Sequence, residues 1–456
     1  MKRFLLLLFA VQVARGATSD SPAPVVSQTP PSTEIRLRPL EANGLRFSLK
    51  QAEDYALANH PQIAAARFSA DAVRQEIREA RSEFFPQVYA ESDSVYAPEG
   101  ARLAALNGLN NPTVFSRQSD GVTVSQLITD FGHTYDLTES AHFRADAATD
   151  RINVARAVVV LTVDRSYLGL LKAEALLRVA DETVKARQLA FNQVSVLVKN
   201  QLKSSLDGDF AQVNLSEAQL LLIQTQSGVS EAEAILSTAL GFADSQRFIL
   251  TDEPLDINLP ASPEALIHQA LNQRPELASL RNETEAARRF AQAQVSAQYP
   301  KISAMGAAGI SPIGNHTDIK SNYYAAGVNV EVPLFNGGNL DAKAQEAKLL
   351  TQATAQNLVD AQNTISRDVR VAWLDANTAK ERLGVTAQLV ATARDSQTLA
   401  QARYKLGTSS IVELIQAQLN FTQALIQDTS ARYDYQSGQA LLDFTIGQGY
   451  QHALSK

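Results

Sequence analysis

The sequence predicts an α+β membrane protein that is internally duplicated, each half carrying two short strands and a run of long helices. Three observations lead there. The segment ALANHPQIAAARFSADAVRQEIREARSEFFPQV at 56–88 is echoed by ALNQRPELASLRNETEAARRFAQAQVSAQYPKI at 270–302, with Pro61 matching Pro275 and Phe85-Pro86 matching Tyr299-Pro300. From 133 to 199 and from 339 to 406 there is no proline, and strong helix formers dominate. Each such segment would be roughly 100 Å long at 1.5 Å per residue. Finally, NYYAAGVNVEVPLF puts Tyr324, Ala326, Val328, Val330, Val332 and Leu334 on one face and Tyr323, Ala325, Gly327, Asn329 and Glu331 on the other.

The elements follow in order. MKRFLLLLFAVQVARG at 1–16 reads as a secretory signal peptide, with Ala14 three residues before a cut after Gly16. Residues 17–47 are rich in proline and hydroxyl groups and read as an extended tether with no core of its own. The first repeat occupies 48–241: a helix, strands at 86–97 and 119–130, a long helix at 133–199 and another at 206–240. A linker at 242–261 joins it to the second repeat at 262–447: a helix, strands at 300–311 and 321–335, and helices at 339–406 and 411–446. Residues 448–456 form a tail. Pro61 and Pro275 sit at first helical positions, where a missing N–H is harmless. VTVSQLITDFG matches VNVEVPLFNGG at an offset of 206, against 214 for the prolines, so the first half holds about eight extra residues within 94–120. One long unit copied once is a duplication, not a solenoid of small repeats.

The alternating strands fit a membrane barrel with lipid on one side and water on the other. A soluble sheet packed on helices gives the same pattern. No segment has the ~18 consecutive apolar residues of a spanning helix. Four strands cannot enclose a pore, since the smallest membrane barrels have eight, so membrane strands here would require several chains in one barrel.

Chemistry is conspicuous by its sparseness. The net charge is −7 and no dense basic run occurs, which excludes a nucleic-acid footprint. Walker, HExxH and GxSxG patterns are absent. Asp130-Phe131-Gly132 copies a kinase tripeptide without its companions and reads as a strand-to-helix turn. Six scattered histidines and no cysteine give no metal spacing, no disulfide and no lipid-acceptor thiol. Asp207-Gly208-Asp209 lacks the other ligands of a calcium loop. No catalytic residue and no cofactor is expected.

Two helix interruptions stand out: VKNQLKSSLDGDFAQ and, 206 residues later, RYKLGTSSIVELIQAQ. Gly407 permits the positive φ that ends a helix. Ser410 and Glu413 then form a capping-box pattern, with Ser204 and Asp207 as an approximate copy. Each interruption therefore reads as a turn between one helix and the next.

The duplicated order, the FPQV and YPKI segments before a hairpin, the DFG and NGG exits into a long helix, and YKLGTSSIVELIQAQ together resemble the TolC family of outer-membrane efflux proteins over residues 48–447. The resemblance implies a homotrimer in the outer membrane, with twelve strands in one barrel and a helical tube crossing the periplasm to a narrow aperture. It implies a passive duct, with a periplasmic adaptor and an inner-membrane RND or ABC transporter as partners. Both turns would lie at the tip, with Lys199, Gln201, Leu202, Lys203, Ser204, Lys405, Leu406, Gly407, Thr408 and Ser409 meeting the adaptor.

By the same resemblance Glu413 takes the place of an aspartate lining the aperture, Asp207 is its repeat-related partner, and Tyr404 is retained. Ser409 replaces an arginine that links helices, and Gln416 replaces a second aspartate. Two ring charges ~10 Å apart interact by only ~0.4 kcal/mol in water, so a ring would favour cations rather than hold the tube shut. Helix capping alone is the other reading of both acids. A soluble periplasmic scaffold or adaptor is the rival reading for the whole chain. A surface adhesin would need larger loops than these.

Overall fold

Two prolines decide how each half begins. Pro61 opens α2 and Pro275 opens α6, and the residue before each, His60 and Arg274, is held extended with φ near −70°. Proline disfavours the helical conformation in the residue preceding it. The opening helix of each half is therefore broken in two. The computed structural model describes residues 44–98, 116–252, 254–311 and 322–448, which lie within one compact unit beginning at Gly44. The signal segment, the tether as far as 43, the loop at 99–115 that contains most of the expected insertion, and the tail from 449 lie outside the described residues.

In chain order the elements are β1 (Leu45–Phe47), α1 (Leu49–Asn59), α2 (Pro61–Ser82), β2 (Gln87–Val95), β3 (Arg117–Thr129), α3 (His133–Lys199) and α4 (Ser205–Ala239). The second half has β4 (Phe248–Leu250), α5 (Glu264–Gln273), α6 (Pro275–Ser296), β5 (Lys301–Ile310), β6 (Asn322–Glu331), α7 (Asn339–Lys405) and α8 (Ile411–Ile446). The tether reading is corrected at its end. Leu45–Phe47 pairs in parallel with Phe248–Leu250, and Phe47 packs on the core, so the last residues before Ser48 belong to the fold. The expected strand at 321–335 stops at Glu331, opposite Lys301. Pro300 precedes that partner and Pro333 follows the strand; neither has an N–H to extend the ladder.

Strands β2, β3, β5 and β6 form an antiparallel sheet in that order. Its turns into α3 and α7 are built alike: Phe131 and Gly132 are left-handed (φ 55° and 100°), as are Gly337 and Gly338 (φ 67° and 82°). Asp130 caps the first of these turns. Its Oδ2 accepts from the Thr134 N–H (2.8 Å) and the Thr134 hydroxyl (2.5 Å). The kinase-like tripeptide is thus a helix start.

The two 67-residue helices, α3 and α7, are the long axis. Near the sheet α3 packs against α2 and α6, where Ser140 donates to Ala286 O and Ser279 donates to Ala147 O. Further along it packs against α4 and α8. Many of the residues buried along both helices are alanine, which lets the backbones approach closely. Between these regions each repeat has its own apolar cluster, and repeat-related aromatics fasten the linker. Tyr167 donates to Thr251 O (2.7 Å) and accepts from Thr251 N–H (3.0 Å), while Trp373 Nε1 donates to Pro260 O (2.9 Å).

Candidate functional site: the hairpin tip and the strand wall

At the tip, α3 ends with Gln201 in the left-handed region (φ 58°) and Leu202 N–H donating to Leu197 O (2.9 Å). The other hairpin uses Gly407 (φ 74°), with Thr408 N–H donating to Arg403 O (2.9 Å). Both are the six-to-one closure that ends a helix, and glycine adopts it without a Cβ penalty. Lys199, Ser204, Lys405, Leu406 and Thr408 are exposed around the turns, and Ser409 is half-buried.

The two acids are used differently, which reverses the expected order. Ser204 and Asp207 make the full reciprocal box: Ser204 Oγ accepts from Asp207 N–H (3.3 Å), and Asp207 Oδ2 accepts from Ser204 N–H (3.2 Å). Ser410 and Glu413 make only half of it. Ser410 Oγ accepts from Glu413 N–H (3.2 Å), but the Glu413 carboxylate accepts from Arg403 of α7 at 2.8 Å. A charge-assisted bond to guanidinium outcompetes a neutral backbone donor. Arg403 thus bridges α7 and α8 in a chain that has serine at 409.

Tyr404 is the buried centre of the tip. It packs with Val194, Ala211, Ile411 and Leu414, which come from α3, α4 and α8. Lys203 Nζ lies 4.5 Å from its ring centroid, a cation–π arrangement. Burial, with a contribution from the nearby Asp207 charge, pushes the Tyr404 phenol up, so it stays protonated at neutral pH. Its hydroxyl has no hydrogen-bond partner among the described residues. A groove of about 670 Å³ opens beside it, lined by Val194, Leu197, Leu202, Tyr404 and Leu414 among others. Gln416 stands apart from this cluster, exposed and donating to Asn420 Oδ1 (3.0 Å).

Sequence reasoning overlooked a polar layer above the tip. Asn214 of α4 donates to Gln418 of α8 (3.0 Å), and the buried Arg187 of α3 donates to Thr422 (3.2 Å). Burial lowers Arg187 to about 10, opposed by the Glu217 charge, so the guanidinium remains ionised. It also overlooked a second acidic group. Glu53 of α1, Asp164 of α3 and Asp443 of α8 line one pocket, and Asp164 hydrogen-bonds Glu53. Burial first, and then the Glu53 charge, push Asp164 up to about 8, and burial pushes Asp443 up to about 6. Only the fold brings these three positions together; their spacing in sequence carries no signal.

The strand wall has two unlike faces. One carries Val88, Ala90, Val122, Val124, Ile302, Ala304, Ala308, Tyr324, Ala326, Val328 and Val330 in register. Nothing in the described chain covers it: Tyr324 is 91% exposed and Val328 65%. The opposite face carries Glu91, Thr123, Ser125, Ser303, Asn329 and Glu331. The strands contain about ten residues each, long enough at ~3.3 Å per residue and a ~40° tilt to cross a ~25 Å apolar band. Each helix-side end has an exposed aromatic next to it, namely Phe85, Phe131, Tyr299 and Phe335, with the Phe131 and Tyr299 rings 6.1 Å apart. Aromatic girdles mark the edges of membrane barrels.

A duplicated unit of this kind matches the profile of the outer membrane efflux proteins over residues 54–242 and 266–448. The chain belongs to that family. The outer membrane protein TolC of Vibrio cholerae is 24% identical over 85% of this chain and 88% of its own length. The alkaline protease secretion protein AprF of Pseudomonas aeruginosa is 22% identical, over 88% of this chain and 85% of its own. The crystal structure of the outer membrane protein VceC of Vibrio cholerae superposes with a TM-score of 0.72 at 17% identity, covering 88% of this chain and 96% of that one. This family member is an outer-membrane export channel, the exit duct of an efflux or secretion system. Among its described residues no helix is long and apolar enough to cross a membrane.

Proposed function

We propose that three copies close into one twelve-stranded barrel and one helical tube, through which cargo passes from a periplasmic assembly to the exterior. The observation that carries this is the pair of open flanks on the protomer. Strands β2 and β6 each pair on one side only among the described residues. The helices continuing those edges expose apolar side chains: Phe68 on α2, Leu220 and Ile223 on α4, and Leu349, Val385 and Leu399 on α7. Unpaired edges and apolar flanks on both sides demand neighbours on both sides, which a closed ring supplies. Two copies would give eight strands, an interior that side chains fill; three give an open lumen.

The apolar strand face then meets outer-membrane lipid and the polar face meets water. The tips, with Leu202, Leu406 and the groove beside Tyr404, form the surface for a periplasmic adaptor, which connects the duct to an inner-membrane transporter. Lys199, Lys203 and Lys405 give that rim its positive charge. Asp207 and Glu413 sit where three copies would converge, and Arg403 offsets the Glu413 charge. The duct itself performs no chemistry.

Electron microscopy of the protein extracted in detergent tests this reading. A three-fold tube with a detergent belt around the strand end is expected. A soluble monomer, or a particle without a belt, would return the chain to the scaffold reading.

A further inference from the structure

We propose that Gly121 and Gly309 seat Tyr323 flat against the water-facing wall, and that this posture sets the free width of the barrel's outer mouth. The inference rests on the duct reading above. Register places Glu91, Gly121, Gly309 and Tyr323 in one row across the four strands. The row lies on the polar face, toward the end of the sheet farther from the helices.

Neither glycine is there for backbone conformation, since neither has positive φ. Glycine inside a strand weakens it, and often marks a close approach by another group. Here that group is the tyrosine. A Cβ at Gly121 would lie 2.3 Å from the Tyr323 hydroxyl oxygen, and one at Gly309 2.8 Å from it. The ring therefore runs sideways from β6 across β5 to β3, over a strip of bare backbone. Tyr323 is only 39% exposed, although it lies on the same strand as Tyr324 at 91%. The remaining side chains of this face on β6 near it, Ala325 and Gly327, are small. Among the described residues of the outer half of β6, Tyr323 is thus the bulky group on the water face that could stand into the lumen, and the glycines keep it down.

The two glycines differ in what a methyl would disturb. At Gly309 it would meet the Asp120 carbonyl at 2.3 Å and Gly121 Cα at 2.7 Å, which are backbone atoms. At Gly121 the severe clash is with the end of the tyrosine side chain alone, the next atom being Ala308 O at 3.3 Å. Gly121→Ala is therefore accommodated by lifting Tyr323 off the wall.

The test is polymer exclusion on channels reconstituted in planar bilayers, with polyethylene glycols of graded size added on the outer side. Gly121→Ala should shift the size cut-off to smaller polymers. Adding Tyr323→Ala to it should return the cut-off to the wild-type value or above, and polymers added from the helical side should distinguish none of these proteins. A wild-type cut-off in Gly121→Ala, or a double variant as narrow as Gly121→Ala, overturns the inference while leaving the duct intact. A wild-type protein that forms no channel overturns the duct, and this inference with it. Because the chain has no cysteine, a second measurement stands independently of whether Gly121→Ala assembles. Tyr323→Cys should react with a charged, water-soluble thiol reagent in the assembled channel and Tyr324→Cys should not; an unreactive Tyr323→Cys refutes the proposal.

Discussion

Raising the pH should undock α1 from the long helix α3. Glu53 and Asp164 face each other across that contact, with Asp443 and Gln436 arriving from α8, and no cation is among the residues lining their pocket. Docked, Asp164 is pushed up to about 8, mainly by burial and then by the Glu53 charge; released into water it would ionise near its ordinary 3.8. The docked state therefore binds more protons over that interval. Docking is strongest below the ordinary carboxylate range and weakens as pH rises towards 8. Asp443 adds to the slope only up to about 6. Between about pH 6 and pH 7.5 the hydrogen-bonded Asp164–Glu53 pair carries the effect, and about 1.5 pH units at ~1.4 kcal/mol each give a loss of about 2 kcal/mol, or roughly 30-fold in the opening equilibrium. The assay is hydrogen exchange of the amides of α1, corrected for the intrinsic pH dependence of exchange. Asp164→Asn should flatten the profile over this interval. Protection that is independent of pH in the wild type, or equally pH-dependent in Asp164→Asn, would refute the reasoning.

At the tip, Arg403→Gln should raise cation preference, read as the reversal potential under a salt gradient, because it uncovers Glu413. Glu413→Gln together with Asp207→Asn should lower that preference, and unchanged potentials in both variants would leave capping by Asp207 and the Arg403 bridge of Glu413 as the whole role of the acids. Gly407→Ala should destabilise its hairpin by ~1–2 kcal/mol through φ alone, since nothing lies within 4 Å of the added methyl. Gln201→Gly should stabilise the other hairpin by up to about 1 kcal/mol; limited proteolysis at the two turns separates these effects. Tyr167→Phe should cost about 1–2 kcal/mol, seen as a lower melting temperature, because the Thr251 carbonyl loses its hydroxyl donor while the Thr251 N–H keeps Phe47 O (3.3 Å).

The duplication and the α+β class were legible because both are written in local chemistry: prolines at helix starts, the DFG and NGG exits before α3 and α7, and a period of two in the strands. What escaped depends on which residues the fold brings opposite one another. Tyr167 and Trp373 lie 206 residues apart and do the same job for different linker carbonyls, yet neither partner carries a sequence signal. The spacing to Ser410 showed that the serine would cap the Glu413 N–H, but not that the Glu413 carboxylate would leave the box. Its stronger partner, Arg403, lies ten residues back across a turn, where antiparallel helices rather than helical period decide proximity. The β1–β4 pairing was hidden because three-residue strands leave no alternation to detect.

The equal length of α3 and α7 has a consequence for how such a chain can change. One residue inserted into either helix turns everything beyond it by ~100° and moves its tip by 1.5 Å. Inserted into one copy alone, it would leave the two hairpins ending at different depths and facing different ways. The reach of the protein can therefore be altered only by near-whole numbers of helical turns, added to both repeats and to their returning partners together. The gap it bridges is in effect recorded twice in the same gene, and each copy holds the other to length.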